Sequence, residues 1–173
     1  MTHSPQLSSR VLAALLAVSP LLAVQAQTAL LPNLKPLPAS NLSLVYNSTA
    51  GTNTLRFATT SWNNGSGPLH LEAGPLDSNN SGKQLGSQRA NNSDNSTTTR
   101  LAGSVTWHNG HNHFHFDDYA TYTLQPVDAA GGSERTGSKT TFCVMDTTQI
   151  NTSIANASPS ATYVTCGNLF QGM

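Results

Sequence analysis

The stretch Trp107-His108-Asn109-Gly110-His111-Asn112-His113-Phe114-His115 concentrates the chemistry of this chain, for it holds four of the six histidines. Three of them alternate: His111, His113 and His115. On a helix, residues two apart diverge by about 200°, so alternate imidazoles could not converge. On a strand, residues i, i+2 and i+4 line one face, about 6–7 Å apart along the chain. A strand therefore gathers the three imidazoles on one side and sends Phe114 and Phe116, with Asn112, to the other. Three neutral imidazoles suit copper, zinc or nickel, and Cu(II) binds tightest of the divalent series. Three protein ligands also leave positions for water, dioxygen or substrate, as catalytic metal sites do. The plainer alternative is a histidine-rich strand exposed to solvent. Compositional histidine tracts do bind metal, but they rarely alternate beside aromatic residues. His108 is out of phase with the other three and is expected to stand behind them, supporting the ligands rather than joining them.

The elements that must position these residues read as short strands. Tyr119-Ala120-Thr121-Tyr122-Thr123-Leu124 is rich in residues that favour sheets, and Gly103 begins the strand that carries the histidines. Residues 42–46 and the alternating run 54–64 are strand candidates, followed by a Gly65-Ser66-Gly67-Pro68 turn and a short strand at 69–73. His70, on that last strand, reads as an ordinary surface histidine that could also lie near the metal. Residues 76–100 are polar and without periodicity, which predicts a long loop. Residues 139–146 and 161–166 are further strand candidates, separated by a polar loop at 151–159. Nothing shows helical periodicity over a dozen residues. The expectation is an all-β fold, sandwich-like, with long polar loops.

Composition narrows the function. The formal net charge is +0 and charged residues are 9% of the 173, so the basic stripe of a nucleic-acid-binding protein is missing. Residues 1–26 read as a secretory signal peptide: Arg10 ends a weakly basic region, residues 11–23 are apolar, and Val24-Gln25-Ala26 offers small residues before a cut. The apolar run contains Pro20 and is short for a membrane span; a retained signal anchor is the alternative. No later stretch is apolar enough to cross a bilayer. Residues 27–52 form a Pro-punctuated, extended leading segment with a first strand, and residues 53–173 the main β domain. Sequons at Asn41, Asn47, Asn64, Asn79, Asn91, Asn95, Asn151 and Asn156 agree with a secreted glycoprotein. Cys143 and Cys166 are most simply a disulfide in an oxidising compartment, the alternative being a thiolate ligand or nucleophile.

Several of these pieces together resemble the catalytic domain of the lysyl oxidase family, copper-dependent amine oxidases with a self-made lysine tyrosylquinone. They are Leu55-Arg56-Phe57, then Trp62-Asn63-Asn64-Gly65-Ser66-Gly67-Pro68-Leu69, then the histidine stretch, then Tyr122 and Leu124, then Lys139-Thr140-Thr141-Phe142-Cys143-Val144-Met145-Asp146-Thr147. The resemblance covers about residues 30 to 173. It implies that His111, His113 and His115 are the copper ligands and that Lys139 is the lysine joined to an oxidised tyrosine. It also implies that Cys143 pairs with a downstream cysteine, here Cys166, and that the substrates are a primary amine such as peptidyl lysine, and dioxygen. Asp118 or Asp117 would then be candidates for the general base, although an acidic turn in solvent is the simpler reading of both. Gly110 stands where animal members have a cysteine.

One departure matters. In that family the partner tyrosine lies beyond the second cysteine and before a further strand, whereas no tyrosine follows Cys166 here and Tyr163 precedes it. The expectation is a chain incomplete at its C-terminal end, leaving a sheet edge without its neighbour. Two alternatives stand beside the amine oxidase: a secreted copper-binding protein without turnover, and a structural matrix module with incidental histidines.

Overall fold

The computed structural model describes residues 27–173 apart from 156, 167 and 168. The signal-peptide segment 1–26 and the sequon at Asn156 therefore lie outside the described residues. What is described is all-β, its one helical element being a 3-10 turn at Ala129–Gly131.

The principal sheet is an antiparallel meander. β6 (His70–Leu76), β7 (Lys83–Asn92), β8 (Thr97–His108) and β9 (His113–Phe116) pair in that order, and β12 (Phe170–Gly172) lies outside β6. β1 (Ala29–Leu30) adds to the far end of β7, opposite Asn91 and Asn92. Three small ribbons complete the fold. β2 (Leu34–Pro36) pairs with β5 (Ser61–Asn63), β3 (Ser40–Asn47) with β4 (Thr52–Ala58), and β10 (Thr123–Leu124) with β11 (Arg135–Thr136).

The region expected to be a long loop, 76–100, instead supplies all of β7 and the start of β8, the centre of the sheet. The reason lies in what β7 buries. Gly86, Gln88, Ala90 and Asn92 point inward at every second position. That is the period of a half-buried strand, but its inner face is built from small and amide residues, so hydrophobicity does not reveal it. The buried amides are satisfied: Arg100 donates twice to Gln88 Oε1, at 3.1 and 2.7 Å, and Asn92 Nδ2 donates to Ser96 and Thr98. Tight polar turns replace the loop. Asn95 takes φ +66° and the Asp94 carboxylate accepts from both the N–H and the hydroxyl of Ser96.

Other expected strands are shorter or absent. The run 54–64 breaks into β4 and β5, and 119–124 reduces to β10. Neither 139–146 nor 161–166 forms a strand; the former touches the sheet through one bridge, Phe116 to Phe142. That bridge is nevertheless well tied. Phe116 N donates to Phe142 O at 2.8 Å and Phe142 N to Phe116 O at 3.1 Å. The buried amide of Gln171 fastens the same segment, accepting from Val144 N at 3.0 Å and donating to Phe114 O at 2.9 Å. Cys143 and Cys166 are joined in a disulfide, with Cα atoms 5.6 Å apart.

The core is small: Leu69, Leu71, Val105, Phe116 and Val144, flanked by Ala73, Phe114, Tyr119 and Met173. Phe116 reaches it across a cross-strand glycine pair, Gly86 opposite Gly103. A Cβ at Gly86 would lie 2.8 Å from Phe116 Cε2, and one at Gly103 3.0 Å from Phe116 Cζ. Glycine at both positions is thus what lets the ring lie against the sheet. Phe116 in turn fixes the register of β9, the strand that carries two of the histidines.

Candidate metal centre

β8 and β9 form a hairpin whose register pairs His108 with His113, Trp107 with Phe114, Thr106 with His115, and Val105 with Phe116. Directly paired residues share a face. One face of the hairpin therefore carries His108, His113, His115 and Thr106. The other carries Trp107 and Phe114, whose rings meet at 4.8 Å, together with the core residues Val105 and Phe116.

The connection is the turn 109–112. The N–H of His111 closes it onto His108 O at 3.1 Å, and Asn112 takes φ +55° before β9 begins. His111 therefore stands in the turn and not on the strand that the alternation suggested; only His113 and His115 use strand geometry. The turn nonetheless brings His111 to the same place. His108, expected behind the ligands, sits across from His113 in the pairing, which places its ring among those that could hold an ion. The ligand nitrogens of His108, His111, His113 and His115 all lie within 4.8 Å of one another. The signal for this was in the sequence, for Asn109-Gly110 is a hairpin-turn dipeptide. It cuts the stretch into two strands, and cross-strand pairing replaces phase along one.

The geometry fits a metal ion. With metal–nitrogen bonds of about 2.0–2.1 Å, adjacent ligands of a square arrangement stand about 2.9 Å apart and opposite ones about 4.1 Å. Nε2 of His113 and Nε2 of His115 are 2.8 Å apart. The rings of His108 and His115 stack at 4.9 Å, and those of His108 and His111 meet at 4.4 Å. The Thr141 hydroxyl lies 3.4 Å from Nδ1 of His115, leaving Nε2 to face the cluster. An all-imidazole set with no thiolate and no carboxylate among its members suits copper, zinc or nickel.

Electrostatics favours the neutral, ligand form of His113 and His115. Burial, then the neighbouring His113, His108, Lys139 and His111, pushes His115 down to about 4. His113 is lowered as well, by desolvation first and then by His111, His108 and Lys139. Exposure is graded across the cluster: His108 and His111 are exposed, His113 is half-buried and His115 buried.

Lys139 is near enough to the cluster for its charge to act on it. Its Nζ lies 4.8 Å from the centroid of the Phe142 ring, and its charge is felt by both His113 and His115. The Phe116–Phe142 bridge is what brings this segment to β9. Asp118 is exposed at φ +50°, its carboxylate accepting from the Thr140 hydroxyl at 3.0 Å. Asp117 is buried, paired with Lys83 at 2.9 Å and accepting from Thr106 at 2.8 Å. Both acids tie segments together, and neither belongs to the histidine set. His70 is held elsewhere, between the Tyr163 hydroxyl and Glu72, which also pairs with Arg89 at 3.2 Å.

Comparison of the chain with protein-family models, with curated proteins and with solved structures finds no match.

Proposed function

We propose that this chain is a copper-binding domain of lysyl oxidase type, acting in oxidative deamination of primary amines such as peptidyl lysine. The observation that carries the reading is the convergence of four imidazoles, with the Lys139 charge reaching His113 and His115. The order of motifs from Leu55 to Thr147 supplies the family resemblance. When formed, a lysine tyrosylquinone supplies the electron sink for turning the amine into aldehyde, with ammonia and hydrogen peroxide as the other products. The chain's own residues have narrower tasks. His108, His111, His113 and His115 would hold the copper. Thr141 orients His115, and Phe142 holds the Lys139 ammonium over its ring.

Secretion belongs to the same reading. The disulfide suits an oxidising compartment. The sequon asparagines at 41, 47, 64, 79, 91, 95 and 151 are all exposed, open to glycan attachment. Among the described residues, no helix is long and apolar enough to cross a membrane.

A second reading, copper binding without turnover, is favoured by where Tyr122 and Tyr163 are engaged. The Tyr122 hydroxyl bonds Thr59 at 2.6 Å and the Tyr163 hydroxyl bonds His70, while Lys139 rests on Phe142. One experiment separates the two. Copper-loaded protein is given an alkylamine, and peroxide is followed with and without a carbonyl reagent. Peroxide release that the reagent blocks supports the oxidase; bound copper with no peroxide supports the second reading.

A further inference from the structure

The chain contains two Asn-Gly pairs, Asn64-Gly65 and Asn109-Gly110. Such pairs are where a peptide chain most readily modifies itself. The glycine amide nitrogen attacks the asparagine side-chain carbonyl carbon, a C–N bond forms, the bond to Nδ2 breaks and ammonia leaves. Water then opens the succinimide at either carbonyl, leaving aspartate or isoaspartate. Glycine favours the step because it has no Cβ to hinder ring closure and its backbone turns freely.

The structure treats the two pairs differently. At Asn64-Gly65 the nucleophile is tied, since Gly65 N donates to Asn63 Oδ1 at 2.9 Å and Asn64 N donates to Asn33 O at 2.8 Å. The backbone there is also wedged: a Cβ on Gly65 would lie 2.5 Å from Asn33 N and 2.6 Å from Pro32 Cα. At Asn109-Gly110 both residues are exposed, in the middle of the turn that His111 N closes onto His108 O. A Cβ on Gly110 would meet only His108 Cε1, at 3.8 Å. Among the described residues, the Gly110 N–H makes no hydrogen bond.

We propose that Asn109 is a site of spontaneous deamidation, and that metal occupancy of the histidine cluster controls it. The second half rests on the metal-centre reading above. His108 and His111 flank the pair, so a metal held by both fixes the turn and keeps Gly110 N from reaching the Asn109 side chain. Once Asn109 has reacted, the isoaspartyl form adds a backbone carbon between His108 and His111, and either product adds a negative charge beside them. The empty site thereby ages into one with altered ligand spacing, while the loaded site is preserved.

The test uses the full chain, produced without N-glycans so that the sequon at Asn64 stays free. Metal-free protein is held at mildly alkaline pH and its peptides are mapped by mass over time. Asn109 is expected to lose its amide several-fold faster than Asn64, and loading with Cu(II) beforehand is expected to slow that loss several-fold. Gly110→Ala, for which the structure has room, is expected to bring Asn109 down to the rate of Asn64. Loss at Asn109 no faster than at Asn64 in the metal-free protein overturns the proposal. If Asn109 reacts quickly whether or not Cu(II) is present, the modification stands and the seat of the metal on His108 and His111 is overturned.

Discussion

The contact between Phe116 and the Gly86–Gly103 pair is the joint on which β9 turns, and it makes a quantitative prediction. Phe116 is 8% exposed, and a Cβ at Gly86 would stand 2.8 Å from its Cε2 and 3.1 Å from Val105 Cγ2. Gly86→Ala must therefore displace the ring or spread the sheet, an overpacking cost of about 1–3 kcal/mol. Phe116→Leu removes the ring edge and leaves a partly filled core, costing about 1–1.5 kcal/mol. In the double variant the added methyl occupies space the ring has vacated. The two costs then fall short of additive, with a coupling of about 1 kcal/mol or more. Urea unfolding of the four proteins measures this, as midpoint shifts at unchanged slope. These are large fractions of a total stability of about 5–15 kcal/mol. Additivity within about 0.5 kcal/mol would refute the claim that the ring lies on the glycine pair and sets the register of His113 and His115.

Further predictions follow from the site and its supports. His115→Ala is expected to abolish Cu(II) binding, whereas His108→Ala, at the exposed end of β8, weakens it and leaves three imidazoles; metal titration by fluorescence quenching checks both. Replacing Cys143 and Cys166 with serine opens a loop whose ends are 23 residues apart. It should cost about 3 kcal/mol in the chain-entropy account, seen as a lower urea midpoint. In metal-free protein, His115 is held down to about 4 from 6.5, and His70 is lowered from 6.5 as well, by desolvation first and then by Arg89. The native state thus binds fewer protons than the unfolded one below pH 6.5. Stability should be full above that pH and fall as pH drops from 6.5 toward 4. Unfolding midpoints that stay flat across that window would show that these imidazoles protonate freely in the fold.

The fold class and most of the candidate metal set were legible because they rest on local signals. Alternating histidines, β-branched runs and Pro-punctuated extended segments need no knowledge of partners. Three things were not legible for physical reasons. β7 hides its period because Gly86, Gln88, Ala90 and Asn92 bury small and amide groups, paired by Arg100, Ser96 and Thr98. His108 reaches the cluster through pairing with His113, a property of two strands that phase along one cannot express. The segment 139–146 looks like a strand but is held by a single bridge, the Gln171 amide and a disulfide, all contacts distant in sequence. Lys139 and the histidines are 24 or more positions apart in the chain, and the fold brings Lys139 close enough for its charge to reach His113 and His115.

In the proposed function, one metal ion sits among four imidazoles at the tip of the β8–β9 hairpin. Electron paramagnetic resonance of the protein with one equivalent of Cu(II) tests it most directly, compared with the same spectrum from the His108→Ala variant. The expected spectrum is a single tetragonal species whose nitrogen couplings come from four imidazoles, one of them lost in the variant. A folded, disulfide-intact protein that leaves Cu(II) in solution, or a spectrum the variant does not change, would contradict it.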